Sequence, residues 1–326
     1  MKLKLKIAGL FSVALLAGAM FSCTDVENEE IQKPYTYSDQ YYENLRAYKA
    51  SDHQISFVWF ADYTSSHSMG IRFMGLPDSI DIVSLWGGIP NPKDYPLVYE
   101  EMRFCQKVKG MKFTYVTFPG VNGLDWVMSK PTAEERIQVY ADSLLRIVYN
   151  NDLDGMDLDY EIAGDWMHGA NFVNLIKYLG QHIGPKGKDP SKLLIVDGWP
   201  IGDASVYEYM SYFVAQAYNC TGSANLQDRF DQVWHDGAGL PPEKYIVTEN
   251  MGDYYANGGV AFTEADGNQY TENGARLYSL EGMARWNPTQ GKKAGFGAFF
   301  CQRDYNSNPP YKYLRRGIQA QNPAVE

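Results

Sequence analysis

Cysteine and histidine are both scarce in this chain, with four and five among 326 residues. Cys105, Cys220 and Cys301 are odd in number, lie far apart and show no metal-ligand spacing. That excludes a disulfide framework and a thiolate zinc site, and leaves them as small residues expected to be buried. His53, His67, His168, His182 and His235 contain no i,i+4 pair that would hold a metal on one helix face. A glycine-rich phosphate loop with its following lysine is missing, as is a hydrolase nucleophile elbow. No metal and no cofactor is therefore expected. Positive charge is also in deficit, with 29 Lys and Arg against 39 Asp and Glu and a net charge of -10. This balance argues against nucleic acid or anionic lipid as partners and suits a protein that handles neutral ligands.

What is present reads as a globular protein: 45% hydrophobic and 14% aromatic residues, with 30 Gly and 16 Pro. Lys2, Lys4 and Lys6 precede an apolar run over 7–21. A charged start and an apolar stretch too short for a confident membrane span make an export signal. Cys23 follows the small residue Ser22, and the segment resembles the signal of bacterial lipoproteins, with Cys23 as the lipid-modified residue. The acidic run Thr24-Asp25-Val26-Glu27-Asn28-Glu29-Glu30 reads as a solvated tether and resembles the stretch that sends some Gram-negative lipoproteins to the cell surface. The division expected is a signal peptide over 1–22, a lipidated cysteine and tether over 23–48, and one folded domain over 49–326. The expected location is the outer membrane, facing outward, with the lipid as the only membrane contact and the protein a monomer.

Short apolar or alternating runs recur at 55–61, 80–86, 112–118, 155–161, 193–197, 212–218, 245–249 and 295–301. Helical periods lie between several of them, over 97–108, 133–149 and 171–183. The second of these opens with Pro131-Thr132 and Glu134-Glu135, a helix-start signal. Eight strands alternating with helices predict the α/β class and a single (β/α)8 TIM barrel of ordinary size. The segments just past the strands are rich in Gly, Pro and aromatics: Trp86-Gly87-Gly88, Gly123-Leu124-Asp125-Trp126, Gly198-Trp199-Pro200 and Asn250-Met251-Gly252. Active sites of such barrels are built at that end. Exposed aromatics there suit stacking on sugar rings, although any single one is more often ordinary packing, and only the collection is suggestive.

The segment Asp154-Gly155-Met156-Asp157-Leu158-Asp159-Tyr160-Glu161 carries the most specific signal. In a strand, Asp157, Asp159 and Glu161 point one way while Met156, Leu158 and Tyr160 point the other. Stacked carboxylates repel one another and raise at least one pKa, which keeps a carboxylic acid protonated for acid catalysis. By alternation alone an edge strand with a solvated acidic face reads the same way. Calcium fits poorly, because Asp152-Leu153-Asp154-Gly155 lacks the third oxygen ligand and late Glu of an EF-hand loop. Asp154 has the opposite parity to the acidic face and is expected to pair with backbone or a charge at the barrel base. His168, close after this strand, reads as an exposed loop residue.

This segment matches, position for position, the strand-four signature of glycoside hydrolase family 18, which includes chitinases and endo-β-N-acetylglucosaminidases. Gln216-Ala217-Tyr218-Asn219 resembles the Gln-x-Tyr pattern of the endoglycosidase branch, where chitinases usually carry Met-x-Tyr-Asp. The resemblance covers the chain from about residue 50 onward. It implies a retaining hydrolysis assisted by the substrate's own acetamide, acting on the GlcNAc-β1,4-GlcNAc core of N-glycans. By the same resemblance Glu161 is the general acid and base, and Asp159 accepts the acetamide N–H. Asp157 shares a proton with Asp159. Tyr218 donates to the acetamide carbonyl oxygen and Gln216 helps to hold that group. Asn219, Trp86, Trp126, Trp199 and Phe300 complete the substrate-binding candidates.

One departure stands out: chitinases of the family usually place a Trp at the end of strand eight, where this chain has Phe299-Phe300-Cys301-Gln302. Two other readings stay open at this point, a surface glycan-binding protein on the same barrel and a chitinase. The expected partner is an N-glycan or another GlcNAc-containing oligosaccharide.

Overall fold

The computed structural model describes residues 33–64, 68–236 and 239–323. Cys23, the signal and the acidic run lie outside the described residues. The compact body begins at Tyr35. Eight parallel strands close into a barrel in sequence order: β1 Ile55–Phe60, β2 Ile82–Leu85, β3 Lys112–Thr117, β4 Gly155–Tyr160, β5 Leu193–Gly198, β6 Tyr212–Ala215, β7 Tyr245–Asn250 and β8 Gly295–Phe299. All eight runs anticipated from the sequence are strands, and β8 closes on β1 with Ile55 opposite Gly295.

The helices are α1 Asp39–Ala50, α2 Pro96–Lys107, α3 Asp125–Met128, α4 Ala133–Asn150, α5 Ala170–Leu179, α6 Ser223–Asp236, α7 Met251–Tyr254, α8 Ser279–Arg285 and α9 Lys312–Gln321. The longest, α4, starts where its sequence says. Thr132 and Glu135 form a reciprocal capping box, acids fill the first turn, and Ile137, Tyr140, Ala141, Leu144, Leu145 and Val148 make the buried stripe. Helix α5 is shorter than its apolar period, which runs on to Ile183, because Gly180 caps it and the chain turns there.

Helix α1 corrects the expected domain division. Ser38 caps it by accepting the Tyr41 N–H, Tyr42 and Leu45 are buried, and the Tyr41 hydroxyl donates to Asp78 at 2.8 Å. Residues 39–48, which the expected division left outside the folded domain, are thus part of the compact body.

Side chains alternate across the barrel wall. One cluster fills the interior, from Phe57, Trp59, Ile82, Ile195, Val214 and Ile246. A larger one lies between the barrel and its helices. After β5, only the turn Ala204–Val206 precedes β6, so no α-helix separates these two strands. Cys105, Cys220 and Cys301 are free and buried.

Candidate active site

The interior parity of β4 places Asp157, Asp159 and Glu161 on one ascending line. Asp157 is fully buried, and its Oδ2 accepts from Trp59 Nε1 at 3.0 Å and Ser84 Oγ at 2.6 Å. Asp159, one step higher, is 2% exposed. Glu161 follows the strand, is exposed at the mouth, and its N–H donates to the Asp159 carbonyl at 3.0 Å. So the cluster has two buried carboxyls below one that solvent can reach. Asp154 has the other parity: its carboxylate takes the Phe113 N–H at 2.9 Å, Gln106 Nε2 at 2.7 Å and Lys112 Nζ at 3.4 Å, which is a structural role at the barrel base.

A fourth carboxyl, which the sequence reading missed, completes the cluster. Asp197 is paired in register with Asp159 across β4 and β5 and is fully buried. Its Oδ1 accepts from Gln216 Nε2 at 2.9 Å, and the same amide lies 3.4 Å from Asp159 Oδ1. The only sequence signal was parity, since Asp197 sits two and four residues past the interior residues Ile195 and Leu193.

Burial raises the pKa of Asp157 against the opposing pull of the Ser84, Asp197 and Trp59 hydrogen bonds. Asp159 is raised to about 7, by burial first and then by the charges of Glu161 and Asp157. Asp197 is raised well above the usual carboxylate range by burial and by the charges of Asp157 and Asp159. The Tyr218 phenol is pushed up by burial and by all four carboxyls, Asp197 foremost, so it stays a hydrogen-bond donor at any working pH.

Tyr218 and Gln216 come from the turn that ends β6, and this turn is clamped from both sides. Arg229 of α6 donates to the carbonyls of Gln216 and Tyr218, each at 3.4 Å. Asn219 is exposed, with a left-handed φ of 58°, and its N–H donates to the buried Glu249 at 2.9 Å. Glu249 also accepts the Asn250 N–H at 2.7 Å and the Ser279 hydroxyl.

The aromatic floor is built around Phe299, a residue not among those anticipated. Phe299, on the interior parity of β8, meets Trp86 at 5.0 Å, Tyr218 at 6.0 Å and Trp59 at 6.1 Å between ring centroids. Phe300 stands one residue further, with a left-handed φ of 51° and its ring edge-on to Phe299 at 4.5 Å. Trp199 is 41% exposed and lines, with Glu161, Gln216 and Arg229, a cleft of about 250 Å³. Trp126 is exposed on α3, and the ring it meets is Tyr140 rather than any of the floor. His168 is exposed and stacks on Tyr160 at 5.5 Å. Among the described residues no group of His, Cys, Asp and Glu is arranged to hold a metal ion.

The arrangement can therefore deliver a proton from one exposed carboxyl, place a second carboxyl with a proton labile near neutrality beside it, and offer a phenol donor and an amide facing both. Known proteins share this fold. The glycoside hydrolase family 18, BT1044-like, sequence pattern matches residues 21–118 and 125–320. Endo-beta-N-acetylglucosaminidase F2 of Elizabethkingia meningoseptica is 25% identical over 279 residues, covering 80% of this chain and 77% of that protein. Endo-beta-N-acetylglucosaminidase EndoS of Streptococcus pyogenes serotype M1 is 23% identical over 291 residues, covering 76% of this chain. The match takes up only 29% of EndoS, and 32% of the similar EndoSd of Streptococcus dysgalactiae. Among solved structures, a BT1044 Glu-to-Gln variant superposes with a TM-score of 0.74 at 22% identity, covering 87% of this chain and 93% of its own. The apo endo-beta-N-acetylglucosaminidase of Cordyceps militaris follows at 0.65 and 20%, covering 89% and 98%. A match across nearly the whole folded unit places the chain in glycoside hydrolase family 18, in its BT1044-like group.

Proposed function

We propose that this protein is an endo-β-N-acetylglucosaminidase that cuts the GlcNAc-β1,4-GlcNAc core of N-glycans with retention, using the substrate's acetamide as nucleophile. The observation that carries the reading is that only one of the four clustered carboxyls is exposed. Most retaining glycosidases need a second carboxylate open to the anomeric carbon. Here Asp157 and Asp197 are fully buried and Asp159 nearly so, which leaves Glu161 as the exposed member of the four. The kinship with proteins named endo-beta-N-acetylglucosaminidases supports the substrate class.

In this reading Glu161 protonates the departing glycosidic oxygen while the acetamide carbonyl oxygen closes on the anomeric carbon. Asp159, ionised, accepts the acetamide N–H and balances the oxazolinium charge. The Tyr218 hydroxyl and the Gln216 amide orient the same acetamide. Glu161, now a carboxylate, takes a proton from the water that opens the oxazolinium ring. The exported, outer-membrane location through a lipid on Cys23 belongs to the same proposal, and protease shaving of intact cells is expected to remove the protein.

The decisive experiment is mass spectrometry of an N-glycosylated protein before and after incubation with a soluble form that begins after Cys23. The expected product keeps one GlcNAc on the asparagine, and Glu161→Gln lowers the rate by about a thousandfold or more while glycan binding persists. A fully active Glu161→Gln variant sinks the mechanism. Binding without cleavage across high-mannose, hybrid and complex glycans turns the assignment to a glycan-binding protein.

A further inference from the structure

The carboxyl cluster holds a proton whose owner can be located. Asp157 Oδ1 and Asp197 Oδ2 are both buried without a donor from any protein group. Their carboxyls lie within hydrogen-bonding reach of each other, and Asp197 is also within reach of Asp159. Two oxygens that both accept cannot pair, so the contact requires a proton between them. Each carboxyl's other oxygen decides which keeps it. Asp157 Oδ2 receives two donors, the Trp59 indole and the Ser84 hydroxyl, which favour the anion. Asp197 Oδ1 receives one neutral amide, from Gln216.

We propose that Asp197 is a positioning residue of the hydrolysis, a neutral carboxylic acid whose proton is donated to Asp157 and which thereby leaves Asp159 free to carry the charge that meets the acetamide. The groups facing Asp197 are Asp157 and Asp159 from β4, and Gln216 and Tyr218 from the end of β6. Trp59 and Ser84 hold the far side of Asp157 from β1 and β2. Among the described residues the polar groups placed against it are carboxyls and neutral donors, so a second buried anion here would press directly on Asp159. Keeping Asp197 neutral confines the deep charge to Asp157, and burial together with the two neighbouring charges works in the same direction. The inference rests on the proposed hydrolysis for its purpose, but not for its first test.

That test is infrared spectroscopy of the soluble protein without substrate, at a pH about one and a half units above the value for Asp159, where Asp159 is ionised. A protonated-carboxyl C=O band is expected in the wild type and in Glu161→Gln, and is expected to vanish in Asp197→Asn. A band that persists in Asp197→Asn puts the proton on another residue and overturns the proposal. The second test is kinetic. The carboxamide introduced by Asp197→Asn supplies an N–H donor to Asp157 and a carbonyl acceptor to Gln216, so kcat at neutral pH should stay within about fivefold of wild type. Asp197→Leu removes both and should lower kcat by about a hundredfold, with KM little changed. A folded Asp197→Asn as impaired as Asp197→Leu rules out the neutral-donor role. Because the infrared band needs no turnover, absence of glycosidase activity defeats the proposed function without touching the assignment of the proton.

Discussion

At the scale of single residues the site trades stability for function, and Asp159 makes the trade measurable. Its pKa is about 7 in the fold against an ordinary value near 4. Between these values the folded protein holds a proton that the unfolded chain has released, so stability falls as pH rises from about 4 to about 7. Asp159→Asn removes this loss: its Tm should match wild type near pH 4 and exceed it at pH 7, by a difference worth about 1–3 kcal/mol. The same change should lower kcat by about a hundredfold or more, because the oxazolinium charge loses its partner. Parallel Tm curves for the two proteins would sink the electrostatic account. Asp157, Asp159 and Glu161 were legible because three acids at a spacing of two leave no other economical reading than one shared face. Asp197 was not, because one carboxylate ending the apolar run Leu193–Gly198 looks like a solvated strand end. Only the closed barrel, which sets β5 beside β4 in register, shows that it points at the other acids.

At the scale of elements the loops above the strands are fixed by side-chain bonds to backbone, which no periodicity in sequence reports. Asp165, four residues past Glu161, accepts the N–H groups of Val121 at 3.0 Å and Asn122 at 2.8 Å, and that of Met167 at 2.8 Å. It ties the loop after β3 to the loop after β4, beside the mouth of the site. Asp165→Ala leaves these amides without their acceptor, which should destabilise the fold by about 1–3 kcal/mol in urea titrations. Loosened walls should also raise KM severalfold with a smaller change in kcat, and an unchanged KM would show that the tie serves the fold alone. Strands and the long helix α4 were readable from apolar periods and caps. Substrate-facing aromatics were harder, since a shift of one residue reverses the face. Phe299 and Phe300 are equivalent by composition, yet the pleat of β8 turns Phe299 to the floor. Helix α1 was hidden by its low apolar content, with two buried side chains in twelve residues.

At the scale of the whole molecule, the barrel must close β8 on β1 while β1 contributes the bulkiest interior side chains, Phe57 and Trp59, whose rings meet edge-on at 4.7 Å. Trp59 is also the donor that anchors Asp157, so the seam and the site share a wall. Strand β8 accommodates this by placing glycine at both lower interior positions, Gly295 and Gly297. A Cβ at Gly297 would fall 2.1 Å from the Phe57 carbonyl oxygen, and one at Gly295 1.9 Å from that of Ile55. Those atoms belong to backbone and cannot rotate aside, so relief requires the seam itself to part. Gly297→Ala should therefore cost about 3 kcal/mol or more and lower kcat as well, through displacement of Trp59 from Asp157. Gly123→Ala is the control. That glycine has a φ of +84° with nothing within 4 Å of the added carbon, so strain of the backbone alone should cost about 1 kcal/mol. Urea midpoints and kcat for the two variants decide the matter, since equal losses would mean that the glycines of β8 serve chain geometry and not the closure of the barrel.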